Sequence, residues 1–123
     1  MAYVNAERLV RDWLAARSEL SSYTIAFSVP ETRPVRFITV ERVGGSSSLF
    51  LDDATIAVQV WETSRWNASN AAISLVRPAL MAMSAHANVG DVDIVSVIDD
   101  PEPGAPYQAR YQITVRLTTA VSE

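Results

Sequence analysis

The amino-acid sequence predicts an α+β domain: a mostly antiparallel sheet with two helices packed on one face, in the order α-β-β-β-α-β-β. Three observations predict it. Two segments, one starting at Asn5 and one near Ser64, repeat apolar residues at helical spacing. Five runs rich in β-branched residues lie around the second of these segments. Clusters of Gly, Ser, Pro and Asp separate the runs where the chain must turn.

The first helix follows from Asn5, a capping residue, with Glu7 and Arg8 in the first turn. Leu9, Val10, Trp13 and Leu14 form a one-sided stripe that ends near Ser21-Ser22, so this helix lies on a sheet rather than inside it. Residues 23–29 alternate as a strand until Pro30, and residues 35–43 form a second strand. Gly44-Gly45-Ser46-Ser47-Ser48 is expected to break that strand and supply the loop of a long hairpin, with the third strand over 55–63.

The second helix is expected over about 64–86, on Ile73, Val76, Leu80 and Met83. Pro78 lies inside it. A proline there removes one backbone hydrogen bond and crowds the preceding turn at a cost of about 3 kcal/mol, so a kink or a restart is expected between Ser74 and Pro78. Residues 92–98 and 110–118 close the sheet, the last with Tyr111, Ile113, Val115 and Leu117 on one side and Gln112, Thr114, Arg116 and Thr118 on the other. The proline-rich acidic stretch 99–106 reads as an exposed connector. Trp13, Leu14, Ile73, Val76 and Leu80 are expected to pack on Tyr111, Ile113, Val115 and Leu117 as the core.

Several strands carry bulky apolar residues on both faces, such as Ile56, Val58 and Val60 against Trp61, and Phe37 against Ile38 and Val40. Two helices cover one face only. The other face must either roll up around a second core or meet a neighbouring subunit.

Composition narrows the function classes. A chain of 123 residues is the size of one domain, expected over 1–123, and 49% hydrophobic with 20% charged residues is ordinary for a globular protein. The absence of cysteine excludes disulfides, thiol nucleophiles and cysteine metal sites. With no apolar run long enough to cross a bilayer and no basic start leading into an apolar stretch, the reading is a soluble, unprocessed protein with no membrane partner. A net charge of −4, with ten dispersed arginines as the only strong bases, argues against binding nucleic acid by phosphate neutralisation.

His86 is the one histidine and has no carboxylate near it in sequence, so its plain role is at a helix end. Asp91/Asp93 and Asp99/Asp100/Glu102 do not have calcium-loop spacing and read as solvated acidic loops. Gly44-Gly45 opens no helix and precedes no lysine, so it is not a phosphate loop. No catalytic residue, cofactor or metal follows from the sequence.

Taken in order, Val10-Arg11-Asp12-Trp13-Leu14, Val40-Glu41-Arg42-Val43-Gly44-Gly45, Val58-Gln59-Val60-Trp61, Ser64-Arg65-Trp66-Asn67-Ala68, Val76-Arg77-Pro78-Ala79-Leu80 and Arg110-Tyr111 span nearly the whole chain. In this order and spacing the chain resembles the tail-terminator, or tail-completion, family of long-tailed siphophages. It departs from the family pattern in Pro78 and in the serine-rich hairpin loop. The resemblance implies a virion structural protein rather than an enzyme. It would form a homo-oligomeric ring, a hexamer, at the head-proximal end of the tail tube, assembled in the host cytoplasm and carried in the neck of the virion.

Its partners would be the major tail tube protein and the head-tail connector, with DNA passing through the lumen without specific binding. Leu49, Phe50, Leu51 and Tyr107 are the candidate tube contacts, and Arg42, Arg65 and Arg116 the candidate subunit-interface residues. Leu49-Phe50-Leu51 can alternatively begin the next strand and enter the core. Three other readings stand beside the terminator: another neck subunit, a monomeric module binding a small ligand or peptide, and a small enzyme whose residues meet only in space.

Overall fold

A computed structural model describes residues 4–104 and 107–120. The Asn5 side chain accepts the Arg8 backbone N–H at 3.0 Å and starts helix α1, Ala6–Ala15, which buries Ala6, Val10 and Leu14. A 3₁₀ turn, Ser18–Leu20, follows and buries Leu20. The five strands are β1 (Thr24–Ala26), β2 (Phe37–Ser47), β3 (Leu51–Glu62), β4 (Val89–Asp99) and β5 (Ala109–Ala120). They form one sheet in the order β1-β2-β3-β5-β4, antiparallel except for the parallel pair β1-β2. The architecture is α+β in the order expected.

Between β3 and β4 the chain is helical, but not uniformly so. Helix α2 (Arg65–Ala71), started by the Ser64 side chain on the Asn67 N–H at 3.1 Å, passes into a π-helical turn at Ala72–Val76, then helix α3 (Arg77–Met81) and a 3₁₀ turn, Ala82–Ala85. Pro78 sits in the first turn of α3, where its missing N–H is least costly. The wide π turn immediately upstream absorbs the carbonyls that a proline cannot bond. The backbone stays in the αR region from Ala71 to Arg77, so the helix runs on and the π turn, rather than a break and restart, accommodates Pro78.

The core lies between the helices and one face of the sheet. In register, Val60 faces Tyr111, Val58 faces Ile113, Ile56 faces Val115 and Ala54 faces Leu117, and Ile38 and Val40 extend the row on β2. Val10, Leu14, Val76, Leu80 and Met83 cover it and are fully buried. Trp13 and Tyr111 pack against this core while staying partly exposed, and the Trp13 indole N–H donates to the Ala79 carbonyl at 2.8 Å, pinning α1 to α3. Ile73 departs from expectation, because it is 43% exposed. Ala72 and Val76 take the inward positions of the π turn, and Ile73 is left on the flank.

Three sequence expectations need correcting. The first strand is short, because the segment carrying Pro30 and Pro34 leaves the sheet after Ala26. Gly44 to Ser47 do not break β2: the strand bulges between Arg42 and Gly44 and then continues, with Gly45 at φ +117° pairing with Ala54. Asp91 and Asp93 are not in a loop but within β4, since that strand starts at Val89. In the connector, Ala105 and Pro106 lie outside the described residues, as do Met1 to Tyr3 at the N-terminus.

The second face of the sheet is part covered and part open. At one end Phe37 and Trp61 stack with ring centroids 5.0 Å apart, and both are buried. The Arg33 and Arg110 guanidinium groups lie over the Trp61 ring, 5.3 and 4.9 Å from its centre. Arg33 is held by both oxygens of Glu102, at 2.9 and 2.6 Å, and Arg110 by the Asp100 carbonyl at 2.6 Å. A chain of side-chain hydrogen bonds then crosses the sheet from Trp61 through Thr39, Gln59 and Gln112 to Thr114. Beyond it the face carries Thr55, Asp53, Arg116, Thr118 and Asp93. The sheet neither rolls up nor stands bare.

Candidate functional site

The hairpin joining β2 to β3 presents the first candidate surface. Ser48 and Leu51 close its turn by N–H to carbonyl at 2.8 Å, and Leu51 on its other side pairs with Ala120 of β5. Leu49, Phe50 and Leu51 are nevertheless 66%, 63% and 49% exposed. This answers the alternative that they enter the core. They form an apolar tip carried on a sheet that is paired up to its last residue, not on a slack loop. Val43, at the bulge, is exposed too.

Tyr107 is 78% exposed, but the structure does not bring it to that tip. It precedes Ala109, which pairs with Glu62 at the far end of β3, whereas Leu51 begins the near end. At strand spacing the length of β3 separates them by roughly 35 Å. Tyr107 therefore belongs to a second surface. Trp66, 74% exposed in the first turn of α2, lies at the same end of the sheet, as does exposed Val35 beside the groove that Tyr107 lines. Sequence reasoning assigned Trp66 no role. The available signal was its position just after the Ser64 cap, off the inward row of Ala68, Ala72 and Val76.

The three candidate arginines are likewise distributed. Arg42 holds both oxygens of Asp52 at 2.6 and 2.8 Å, and Ser47 donates to the same carboxylate at 2.7 Å. The Arg42 guanidinium, opposed by burial, keeps the Asp52 carboxyl below its ordinary range. Arg42 thus ties together this chain's own hairpin. Arg65 pairs with Asp99 at 2.9 Å on the surface, tying the start of α2 to the end of β4. Arg116 projects from the open sheet face across from Thr55 and Asp93, with no ion pair among the described residues.

A polar cleft of about 280 Å³ lies between the β1 end of the sheet and α2, lined by Tyr23, Arg36, Glu62, Asn67 and Asn70 among others. At its floor the buried Glu62 carboxylate accepts the Tyr23 hydroxyl at 2.5 Å and the Thr63 N–H at 3.0 Å, with Arg36 at 3.8 Å. Burial first, and then the Glu62 hydrogen bond, push the Tyr23 phenol well above its ordinary value, so it stays a donor. Through these hydrogen bonds the cluster fastens the chain entering β1 to the end of β3. His86 stands apart from this cluster. Its Nδ1 accepts the Asn88 N–H at 3.0 Å and its ring meets the edge of Trp13, so it shapes the turn into β4.

Among the described residues, no group of three or more metal-ligating side chains converges and no helix is long and apolar enough to cross a membrane. No protein-family model and no curated protein matches the chain.

Proposed function

We propose that this chain is a structural virion subunit of the tail-terminator type, forming a ring, a hexamer by the family resemblance, at the head-proximal end of a phage tail tube. One observation carries the reading: exposed apolar residues stand at opposite ends of a single five-stranded sheet, Leu49-Phe50-Leu51 at one and Trp66 with Tyr107 at the other. Where exposed apolar residues cluster, they are candidates for contact surfaces. A subunit that ends one assembly and offers a landing surface to the next needs two such contacts on opposite sides.

In this reading the hairpin tip meets the tail tube protein and the Trp66 end meets the head-tail connector. Arg116, with no ion pair among the described residues, remains available for lateral contacts between unlike surfaces, which close a ring, whereas Arg65 would have to share or exchange its surface partner Asp99. DNA passes through the lumen without specific recognition, consistent with the acidic balance of the chain. Negative-stain images together with mass measurement test the class: a closed ring is expected, and a stable monomer at all concentrations would overturn it. The polar cleft above Glu62 favours a second reading, a monomeric module for a small polar ligand, which predicts that monomer.

A further inference from the structure

Both edges of the sheet are potential templates for another strand, and the structure treats them differently. On the β2 edge, β1 covers Phe37 to Thr39, and the Glu7 carboxylate accepts the Arg42 N–H at 2.8 Å. That edge is guarded as far as Gly44. On the β4 edge, no backbone group of residues 91–98 has a hydrogen-bond partner outside β5 among the described residues.

Beside the open edge runs a groove of about 440 Å³ between β4 and α3, lined by Arg77, Met81, Val92, Asp93, Ile94 and Val97 among others. Val92, Ile94 and Val97 point to the helix side, while Asp91, Asp93 and Ser96 alternate to the opposite face. Met81, half exposed, has the pliant side chain suited to receiving varied apolar groups. Asp91 and Asp93 form no ion pair among the described residues, although Arg116 stands across from Asp93. An open edge next to a helix-lined groove is the geometry in which an extended peptide adds a strand.

We infer that β4 is a docking edge for an extended segment of another protein in which basic residues alternate with apolar ones. The apolar residues would enter the groove beneath Met81, and the basic ones would face Asp91 and Asp93. Charge selects this occupant over a second copy of β4, since an identical edge would set its aspartates against these. The bulge at Ile94/Ser96, with half-exposed Val95, further spoils self-pairing and leaves Asp91 to Ile94 as a regular stretch for the incoming strand. The inference does not depend on the ring reading.

Hydrogen-deuterium exchange of the full chain, in whatever assembly it adopts, tests it with a blocked heptapeptide of alternating Arg and Val as probe. Slowed exchange confined to β4 is expected. Replacing the probe's Arg with Glu, or pairing the original with D91R/D93R protein, should weaken binding by about tenfold or more. A probe methylated at alternate backbone nitrogens keeps the charges but cannot extend the ladder, and it should not protect β4. Equal protection by the Glu or methylated probe would overturn the inference. So would concentration-dependent protection of β4 without any probe, which would give the edge to a second copy.

Discussion

The Arg42 side chain reaches from the bulge in β2 along the β2-β3 hairpin to Asp52, beside the turn, and joins it by two hydrogen bonds of 2.6 and 2.8 Å. The pair fixes the hairpin just where the bulge between Arg42 and Gly44 would otherwise loosen it. The Arg42 N–H also reaches Glu7 in the first turn of α1, so the same residue joins hairpin, sheet and helix.

Asp52→Asn should therefore destabilise the protein by about 1–3 kcal/mol near neutral pH, the range for losing a charge-assisted hydrogen bond at a partly exposed pair. The sign of the pH effect follows from the depressed Asp52 pKa. A carboxyl whose folded pKa lies below its unfolded value of about 3.9 stabilises the native state at pH above that value. That contribution is lost as pH falls through the folded pKa. Thermal midpoints of wild type and variant should converge below about pH 4; a gap independent of pH would show that the pair contributes by shape alone.

Gly44 and Gly45 should respond in opposite directions to alanine. A Cβ on Gly45 would lie 2.0 Å from the Asp53 carbonyl oxygen, and its φ of +117° disfavours any side chain. Gly45→Ala should cost about 1–3 kcal/mol. A Cβ on Gly44 meets nothing within 4 Å, so Gly44→Ala should be neutral or stabilising by up to about 1 kcal/mol, through the unfolded chain. Urea midpoints compare the two directly.

The helical segment offers a matched pair of positions. Leu80→Ala should cost about 2–5 kcal/mol, because Leu80 is fully buried between α3 and the sheet. Ile73→Ala should cost well under half of that, since the π turn leaves Ile73 on the flank. Equal losses in denaturant titrations would mean that Ile73 is inward and the π register is wrong.

Those positions also mark what the sequence could and could not convey. Element type and order were legible because the Asn5 cap, the helical spacing of Val76, Leu80 and Met83 and the Tyr111 to Leu117 alternation are local signals. The outward turn of Ile73 was not, because helical spacing assumes a constant twist and the π turn changes it around Pro78. Gly44 to Ser47 read as a loop on composition, yet pairing with Asp52 to Thr55 holds them in β2, a tertiary effect that overrides propensity. At the candidate site, the apolar run Leu49-Phe50-Leu51 was visible. Its distance from Tyr107 was hidden, because they belong to opposite ends of strands that pair over sixty residues of intervening chain, as Leu51 with Ala120 does.

Phe50 separates a contact role from a structural one. At 63% exposed it contributes little to the core, so Phe50→Ala should change stability by no more than about 0.5 kcal/mol. If the hairpin tip is the tube-facing contact, the variant should still assemble rings of wild-type mass while failing to stop growth of tail tubes, read as longer tubes in electron micrographs. Trp66→Ala should do the reverse at the other end of the sheet, leaving tube length normal and reducing the joining of finished tails to heads. Should both variants fail at the same step, the two ends do not serve separate partners. A Phe50 variant that caps tubes normally would move the tube contact elsewhere, with the Trp66 and Tyr107 end as the next exposed apolar surface to test.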